Sequence, residues 1–165
     1  MLKQLFKVIT NWCNRAKAVY YFSKLRNKLL FGKKEMPKEF KTKLKINALP
    51  EEVYDALTKP FAIELWSGAP AIMSTEPNSE FELWEGDICG RNIRFEENRQ
   101  IEQEWYFGEN EDMSVVTFKI FADGKQKSTL IITHTNIPDA DYDDMVAGWN
   151  EVYIAPLKHF LEDEE

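Results

Sequence analysis

Histidine and cysteine, which often act as catalytic bases and nucleophiles, are scarce in this chain, and their positions do not favour catalysis. His134 falls on one face of an alternating strand pattern, where it is either a base facing a cavity or, as we expect, a hydrogen-bonded residue at the rim. His159 falls in the last turn of the terminal helix, where a cation suits the helix dipole. Cys89 lies beside Gly90 in an expected turn, with no histidine nearby in the sequence to generate a thiolate.

The other polar residues form no pattern typical of a catalytic or metal site. Metal-ligand spacings and a glycine-rich phosphate loop are absent, and the many carboxylates fit solvated faces. We therefore expect no enzyme activity, no metal and no cofactor. Cys13 and Cys89 give no disulfide framework, which favours a reducing compartment and predicts a cytoplasmic protein. No apolar run reaches the roughly eighteen residues of a membrane span.

Aromatic side chains are abundant, with five Trp, six Tyr and eleven Phe. Many fall on the inward faces of predicted strands and of the terminal helix, which favours a ligand cleft between helix and sheet. Gln103 and His134 would be its polar anchors, and the full predicted lining is Phe81, Phe95, Gln103, Trp105, Phe118, His134, Trp149 and Tyr153. The alternative is that these side chains fill the core and leave no open cavity.

The last twenty-nine residues predict one long amphipathic helix. Residues 137–165 place an aromatic stripe at steps of three and four, formed by Tyr142, Val146, Trp149, Tyr153, Pro156 and Phe160. Pro156 lacks the N–H that would bond the carbonyl of Val152, so we expect a bend that tilts Phe160 toward the sheet. The acidic residues that end the helix oppose its dipole, so we expect that end to fray.

The preceding segments predict the sheet that this helix covers. Residues 40–46 alternate apolar side chains with lysines, as in an edge strand. Two short helices follow, separated by Pro60 and ended by Gly68. Six further strand patterns come next, and Asp123-Gly124 predicts a two-residue turn between the last two. We predict an α+β helix-grip fold, with a curled antiparallel sheet of about seven strands (β-α-α-β6-α) around the terminal helix.

Charge divides the chain into a basic N-terminal arm and an acidic domain. Thirteen Lys and Arg stand against two acids up to Lys45, a formal +11, and the remainder carries −18, which together give the net −7. Residues 1–36 predict a basic amphipathic helix, separate from a domain at 37–165. The arm, acid-free over residues 1–34, is an organelle-targeting segment, a membrane-surface contact, a segment docked on the domain, or a dispensable extension. The acidic domain disfavours nucleic acid as a partner.

Several segments together resemble a known family. They are ALPEEVYDALTKP, WSGAPA, EFELWEGDICG and IPDADYDDMVAGWNEVYIAPLK. They are similar to the C-terminal domain of activators of the 90-kDa heat-shock chaperone ATPase, within the START and birch-pollen-allergen superfamily. Gly148-Trp149, Tyr153, Pro156 and Lys158 form the most specific element, and the likeness covers residues 40–160.

The resemblance implies a non-enzymatic START-like binding domain whose partner is the chaperone. The acidic surface would attract a basic patch on that partner, with Glu102, Glu104 and Tyr106 as the predicted exposed face. Eukaryotic activators carry a separate N-terminal domain that dominates chaperone stimulation, and forty residues are too few to hold it. The alternative function is a carrier or sensor of a small hydrophobic ligand in the predicted cleft.

Overall fold

One curled antiparallel sheet supports the other elements in the computed structural model, which describes residues 37–106 and 113–162. Its strands follow the order β1-β7-β6-β5-β4-β3-β2. They are β1 (Lys38–Ile46), β2 (Ala71–Ile72), β3 (Glu80–Leu83), β4 (Ile88–Glu96), β5 (Gln100–Trp105), β6 (Ser114–Ala122) and β7 (Ser128–Ile137). The predicted α+β fold with seven strands and a terminal helix is confirmed. The predictions for residues 1–36 and for the fraying of residues 163–165 lie outside the described residues.

The first strand behaves as its alternating pattern predicts. Phe40 and Ile46 are buried, while Lys41, Lys43 and Lys45 are exposed on the other face. β1 forms one edge of the sheet and pairs only with β7 among the described strands. The lysines therefore guard an open edge against pairing with another chain.

Two short helices follow β1 because two prolines set where each begins. α1 (Pro50–Thr58) and α2 (Pro60–Ser67) both carry proline at the first position, where no N–H is needed. α2 ends at Gly68, whose φ of +70° suits a residue without Cβ. Trp66 then donates from its indole to the carbonyl of Ala56 at 2.8 Å, which joins the two helices.

Strand β4 differs from the prediction at Cys89 and from regular pairing further along. It begins at Ile88, so Cys89 is buried within a strand and the predicted turn there is wrong. The pairing with β5 shifts register between Asn92 and Arg94. This irregularity turns Asn92 inward, fully buried, and leaves Ile93 only half-buried.

Glu104 on β5 was predicted to be exposed, and this is wrong. Its side chain is 4% exposed and accepts hydrogen bonds from Nε and Nη2 of Arg91 at 3.2 and 2.7 Å. Arg91 lies directly opposite Glu104 on the neighbouring strand. The ion pair compensates the charge that burial would otherwise leave without water.

The β6–β7 hairpin is present, but the predicted two-residue turn is not. The last paired residues are Ala122 and Ser128, and the N–H of Asp123 bonds the carbonyl of Lys127 at 2.7 Å. A type I′ turn needs two successive residues with positive φ, and here only Gly124 has one. The Asp123 carboxylate instead contacts Lys45 at 3.3 Å, and Thr129 donates to it at 3.3 Å. These contacts fix a longer loop.

The terminal helix is α-helical at both ends and π-helical in the middle. After a 3₁₀ turn at Asp139–Asp141 come α3 (Tyr142–Gly148), a π-helical segment (Trp149–Ile154) and α4 (Ala155–Glu162). The N–H of Ala155 bonds the carbonyl of Asn150, five residues back. Since Pro156 cannot donate to Val152, the widened turn places the irregularity just before the proline.

The wide turn also overturns the prediction for Phe160. Phe160 is exposed, whereas Leu157 is buried and Leu161 packs against the core. A π turn holds one residue more than an α turn. The buried face therefore moves one position along the chain, from the predicted Pro156 and Phe160 to Leu157 and Leu161.

Gly90 gives a test of the close packing between β3, β4 and β5. A Cβ on Gly90 would lie 2.0 Å from the Glu104 carbonyl oxygen and 2.7 Å from the Phe81 ring. We expect Gly90→Ala to lower the free energy of unfolding, measured in urea, by at least ~2 kcal/mol. A Cβ on Gly148 meets nothing within 4 Å, so Gly148→Ala should be neutral or gain up to ~1 kcal/mol. Equal stability of the two variants would contradict this account.

A candidate binding cleft beside the terminal helix

A cleft of about 400 Å³ opens between the first half of the terminal helix and the ends of β4 and β5. Its aromatic walls are Trp84, Trp105, Tyr106, Trp149 and Tyr153. The rest of its lining is Asp87, Ile88, Cys89, Asp141, Asp144, Met145, Gly148 and Val152. A concave, mainly apolar site of this size at a helix–sheet junction is typical of a small-molecule site, for which ~300–1,000 Å³ is usual.

Trp84 reaches the cleft because the chain turns tightly after β3. Trp84 and Glu85 have φ of +49° and +56°, a left-handed conformation that costs a bulky residue about 1–3 kcal/mol. The turn places the Trp84 ring 5.5 Å from that of Trp66 and 5.7 Å from that of Tyr153. Packing of the indole compensates the strain and forms one side of the cleft.

Trp149 forms the floor of the cleft and is held from several sides. Its ring stacks on Trp105 at 5.1 Å between centroids, and Phe40 lies parallel to it at 6.0 Å. Its indole Nε1 donates to Nδ1 of His134 at 3.1 Å. Since an indole N–H only donates, Nδ1 is unprotonated and the proton of the ring lies on Nε2. That nitrogen lies 2.6 Å from Oγ of Ser114.

The environment of His134 favours a neutral imidazole. The side chain is fully buried, and this burial lowers its pKa to about 4. Both ring nitrogens are engaged, one as acceptor from Trp149 and one toward Ser114. His134 therefore links β7 and β6 to the terminal helix.

A second polar chain runs beneath the sheet end of the cleft. Gln103 donates to Oδ1 of Asn92 at 2.8 Å and accepts from Trp105 Nε1 at 3.2 Å. Asn92 in turn donates to the carbonyl of Ser74 at 3.0 Å and to Oγ of Ser79 at 3.1 Å. This chain fixes the Trp105 ring, on which Trp149 stacks.

The predicted lining residues separate into two groups. Trp105, Trp149 and Tyr153 come together at the cleft. The others lie elsewhere: Phe81, Gln103, Phe118 and His134 are buried in the core, and Phe95 is half-buried near the β4–β5 turn. The core is thus filled with aromatic side chains, and the open space lies at one end of it.

Several cleft residues were not predicted, and Gly148 is the most informative. The space around its missing side chain is empty, so this glycine keeps the cleft open where any other residue would project into it. Its signal in the sequence is the Gly148-Trp149 pair, which indicates the family but not the cleft. Trp84, Asp87, Asp141, Asp144, Met145 and Val152 gave no periodic signal because they lie on turns or at the edge of the helix face.

A larger groove of about 690 Å³ lies beside the β4–β5 turn and β6. Its lining mixes charges of both signs, from Glu96, Arg99 and Lys119, with little aromatic surface. Within residues 37–106 and 113–162, no three His, Cys, Asp or Glu side chains gather as metal ligands would. No helix of those ranges is both long and apolar enough to cross a bilayer.

A separate exposed apolar surface lies at the opposite edge of the sheet from β1. Phe61 and Leu65 stand one turn apart on α2 and are 72% and 56% exposed, and Ile72 on β2 is 52% exposed. The N–H of Ala71 bonds the Glu64 carboxylate at 3.3 Å, which joins β2 to α2. We call Phe61, Leu65 and Ile72 the α2–β2 patch. Large apolar side chains that are exposed on neighbouring elements often mark protein contacts.

The buried His134 predicts how stability depends on pH. Its pKa is about 4 in the folded protein and ~6.5 in the unfolded chain, so only the unfolded chain takes up the proton between these values. The free energy of unfolding should fall by ~1.4 kcal/mol per pH unit from pH 6.5 to 4, about 3 kcal/mol in all. His134→Gln, which retains a donor and an acceptor, should lose this part of the slope and run parallel to wild type above pH 7. Urea unfolding between pH 4 and 8 measures both curves, and an unchanged slope would contradict the assignment.

Comparison with known proteins identifies the fold and the family. The sequence profile described as Activator of Hsp90 ATPase homolog 1-like protein matches residues 47–162. An Activator of 90 kDa heat shock protein ATPase homolog from Dictyostelium discoideum is 24% identical over 131 residues, which cover 77% of this chain and 34% of that protein. The mouse protein named homolog 2 is 21% identical over 113 residues, or 68% and 34%. This chain therefore spans about a third of the length of these relatives.

Solved structures show the same architecture. An HSP90 activator from Plasmodium falciparum superposes with a TM-score of 0.69 at 22% identity, covering 74% of this chain and 95% of that one. The Aha1 dimer from Colwellia psychrerythraea gives 0.65 at 18% identity, covering 76% and 96%. Together with the profile match over most of the domain, these similarities show that the chain belongs to the Activator of Hsp90 ATPase homolog 1-like family and has its START-type helix-grip fold.

Proposed function

We propose that this domain is a non-enzymatic binding module whose partner is a 90-kDa heat-shock chaperone. The observation that carries the proposal is the α2–β2 patch, which exposes two large apolar side chains on one helix face and a third on the adjoining strand. Family membership supports this class of partner, since the Dictyostelium and mouse relatives are named as homologues of activators of this chaperone's ATPase.

The patch has the properties of a contact surface. Apolar side chains with most of their surface in water gain about 25 cal/mol for each Å² that a partner covers. Phe61 protrudes most, as the central anchor of a protein contact often does. The surrounding domain is strongly acidic, with a formal −18 from Ile46 onward, so a basic partner surface would be attracted over a distance.

Binding without catalysis is supported by how the polar residues are used. His134 is neutral and engaged at both nitrogens, and its pKa of about 4 leaves it a weak base at neutral pH. Burial raises the pKa of the Tyr153 phenol well above its usual range, so this group stays protonated.

The chaperone proposal predicts a loss of binding when the patch is made polar. Phe61→Ser and Leu65→Ser together should raise the Kd for the purified chaperone at least ten-fold, because each removes apolar surface that the partner would cover. Titration calorimetry at low and high salt, with the chaperone's ATPase rate measured alongside, gives the comparison.

A matched control is available on β6. Phe121 is 50% exposed but lies outside the patch, so Phe121→Ser should bind as wild type does. Since Phe61, Leu65 and Phe121 are all exposed, the double variant and the control should both unfold at the same urea concentration as wild type. Absence of wild-type binding at low salt, where charge attraction is strongest, would refute the proposal.

A second function is favoured by the cleft: the domain carries or senses a small apolar ligand. The cleft is bounded by aromatic side chains, and a Cβ placed on Gly148 would meet nothing within 4 Å. An open space with walls fixed by hydrogen bonds at Trp105 and Trp149 is largely preformed, which reduces the entropic cost of binding.

Filling the cleft provides the test. Gly148→Leu would place a side chain in the empty space and should abolish binding of octanol, measured by quenching of tryptophan fluorescence. Ala147→Leu adds the same side chain at the neighbouring exposed position, outside the lining, and should bind as wild type does. If the two variants bind equally, the ligand site is not this cleft; native mass spectrometry then reports whether any ligand is carried.

A further inference from the structure

Three carboxylates, those of Asp87, Asp141 and Asp144, line the cleft. Among the residues that the structure describes, its lining includes no Lys, Arg or His. Within residues 37–106 and 113–162, none of the three carboxylates takes part in an ion pair. No described side chain at the cleft therefore neutralises their negative charge.

The position of Asp141 makes this more specific. It is the N-cap of α3, where an aspartate usually accepts a hydrogen bond from the first turn, yet its side chain makes no such bond. Asp144 is in the first turn of the same helix, as is Asp143, and both suit the helix dipole. Asp144 differs from Asp143 in that it lines the cleft.

The deep part of the cleft adds an unused polar atom to its aromatic surface. Tyr153 is 5% exposed and lies 4.8 Å from Trp149 and 4.9 Å from Trp66, measured between ring centroids. Its hydroxyl makes no hydrogen bond within the described residues, and since no buried polar side-chain atom there lacks a partner, this oxygen opens into the cleft. A ligand group that bonds this oxygen would supply what the protein does not.

We propose that the cleft selects an amphipathic organic cation, an amine or quaternary ammonium compound with an apolar body. The inference rests on the second proposed function and names its ligand class. The apolar body would lie on the indoles of Trp84 and Trp149, and the cationic group would face Asp87, Asp141 and Asp144. Aromatic faces add to the preference, because they attract cations and not anions. A fatty carboxylate of equal length would meet three like charges.

Three probes with the same eight-carbon alkyl group distinguish the effect of charge from that of apolar burial. They are octyltrimethylammonium, octanol and octanoate. We expect octyltrimethylammonium to bind about ten-fold more tightly than octanol, and octanoate to bind more weakly than octanol. The preference for the cation should shrink in 0.5 M salt, since exposed charges are screened. Calorimetry and tryptophan fluorescence on the full chain measure all three.

Variants assign the preference to the cleft. Asp141→Asn with Asp144→Asn should reduce the cation-to-octanol ratio to about three-fold or less while leaving the octanol Kd unchanged. Asp143→Asn removes an equal charge from the same helix outside the cleft and should keep the ratio. Gly148→Leu should abolish binding of all three probes.

Two kinds of result would contradict the inference. One rejects only the cation class, and the other also rejects the apolar-ligand function. If octanol binds as tightly as the cation, or if the Asp143 variant loses the preference as fully as the double variant, the cation class is wrong and the apolar-ligand function stands. If no probe binds, or if Gly148→Leu leaves binding intact, both the inference and the apolar-ligand function fail.

Discussion

The hydrogen bond from Trp149 to His134 is the contact on which the rest of the structure depends. A buried indole N–H needs an acceptor, and the only side of a neutral imidazole that accepts is its unprotonated nitrogen. Burial of His134 keeps the ring neutral, and the indole N–H of Trp149 requires an unprotonated Nδ1, which places the proton on Nε2, toward Ser114. This hydrogen bond therefore ties Trp149, and with it the middle of the terminal helix, to a neutral His134 on the sheet.

From this contact the aromatic core extends outward in order. Trp149 stacks on Trp105, whose own N–H is satisfied by Gln103, and Tyr153 packs one turn further along against Trp66 and Phe118. Each polar atom in this region finds a partner or opens into the cleft, since no buried side-chain nitrogen or oxygen of the described residues is left unsatisfied. The aromatic side chains thus pack between the terminal helix and the sheet, and the space beside Gly148 stays empty at the point where the cleft begins.

Much of the fold was predictable because alternation and helical spacing are local properties. β1 and the inward faces of β5, β6 and β7 follow period two, and Pro50 and Pro60 define the short helices. Two of the failures arise where one residue more or fewer changes the register. The irregularity at Asn92 depends on how β4 pairs with β5, which the alternation within one strand does not contain. The wide turn before Pro156 shifts the buried face of the helix, whereas the predicted stripe assumes an unbroken α-helical period. The predicted lining and the observed cleft share Trp105, Trp149 and Tyr153, whereas the acidic side of the cleft comes from Asp87, just before β4, and from Asp141 and Asp144 at the start of the terminal helix, outside its aromatic stripe.

The wide turn divides the terminal helix into two halves that are anchored unequally. α4 buries Leu157 and packs against α1, α2 and β1, while α3 buries no side chain completely. Local opening costs less free energy where few apolar groups are buried, so amide hydrogens in α3 should exchange with solvent faster than those in α4. α3, which forms one wall of the cleft, can then open locally while α4 stays packed on the core. Entry of a ligand would not require the whole domain to unfold.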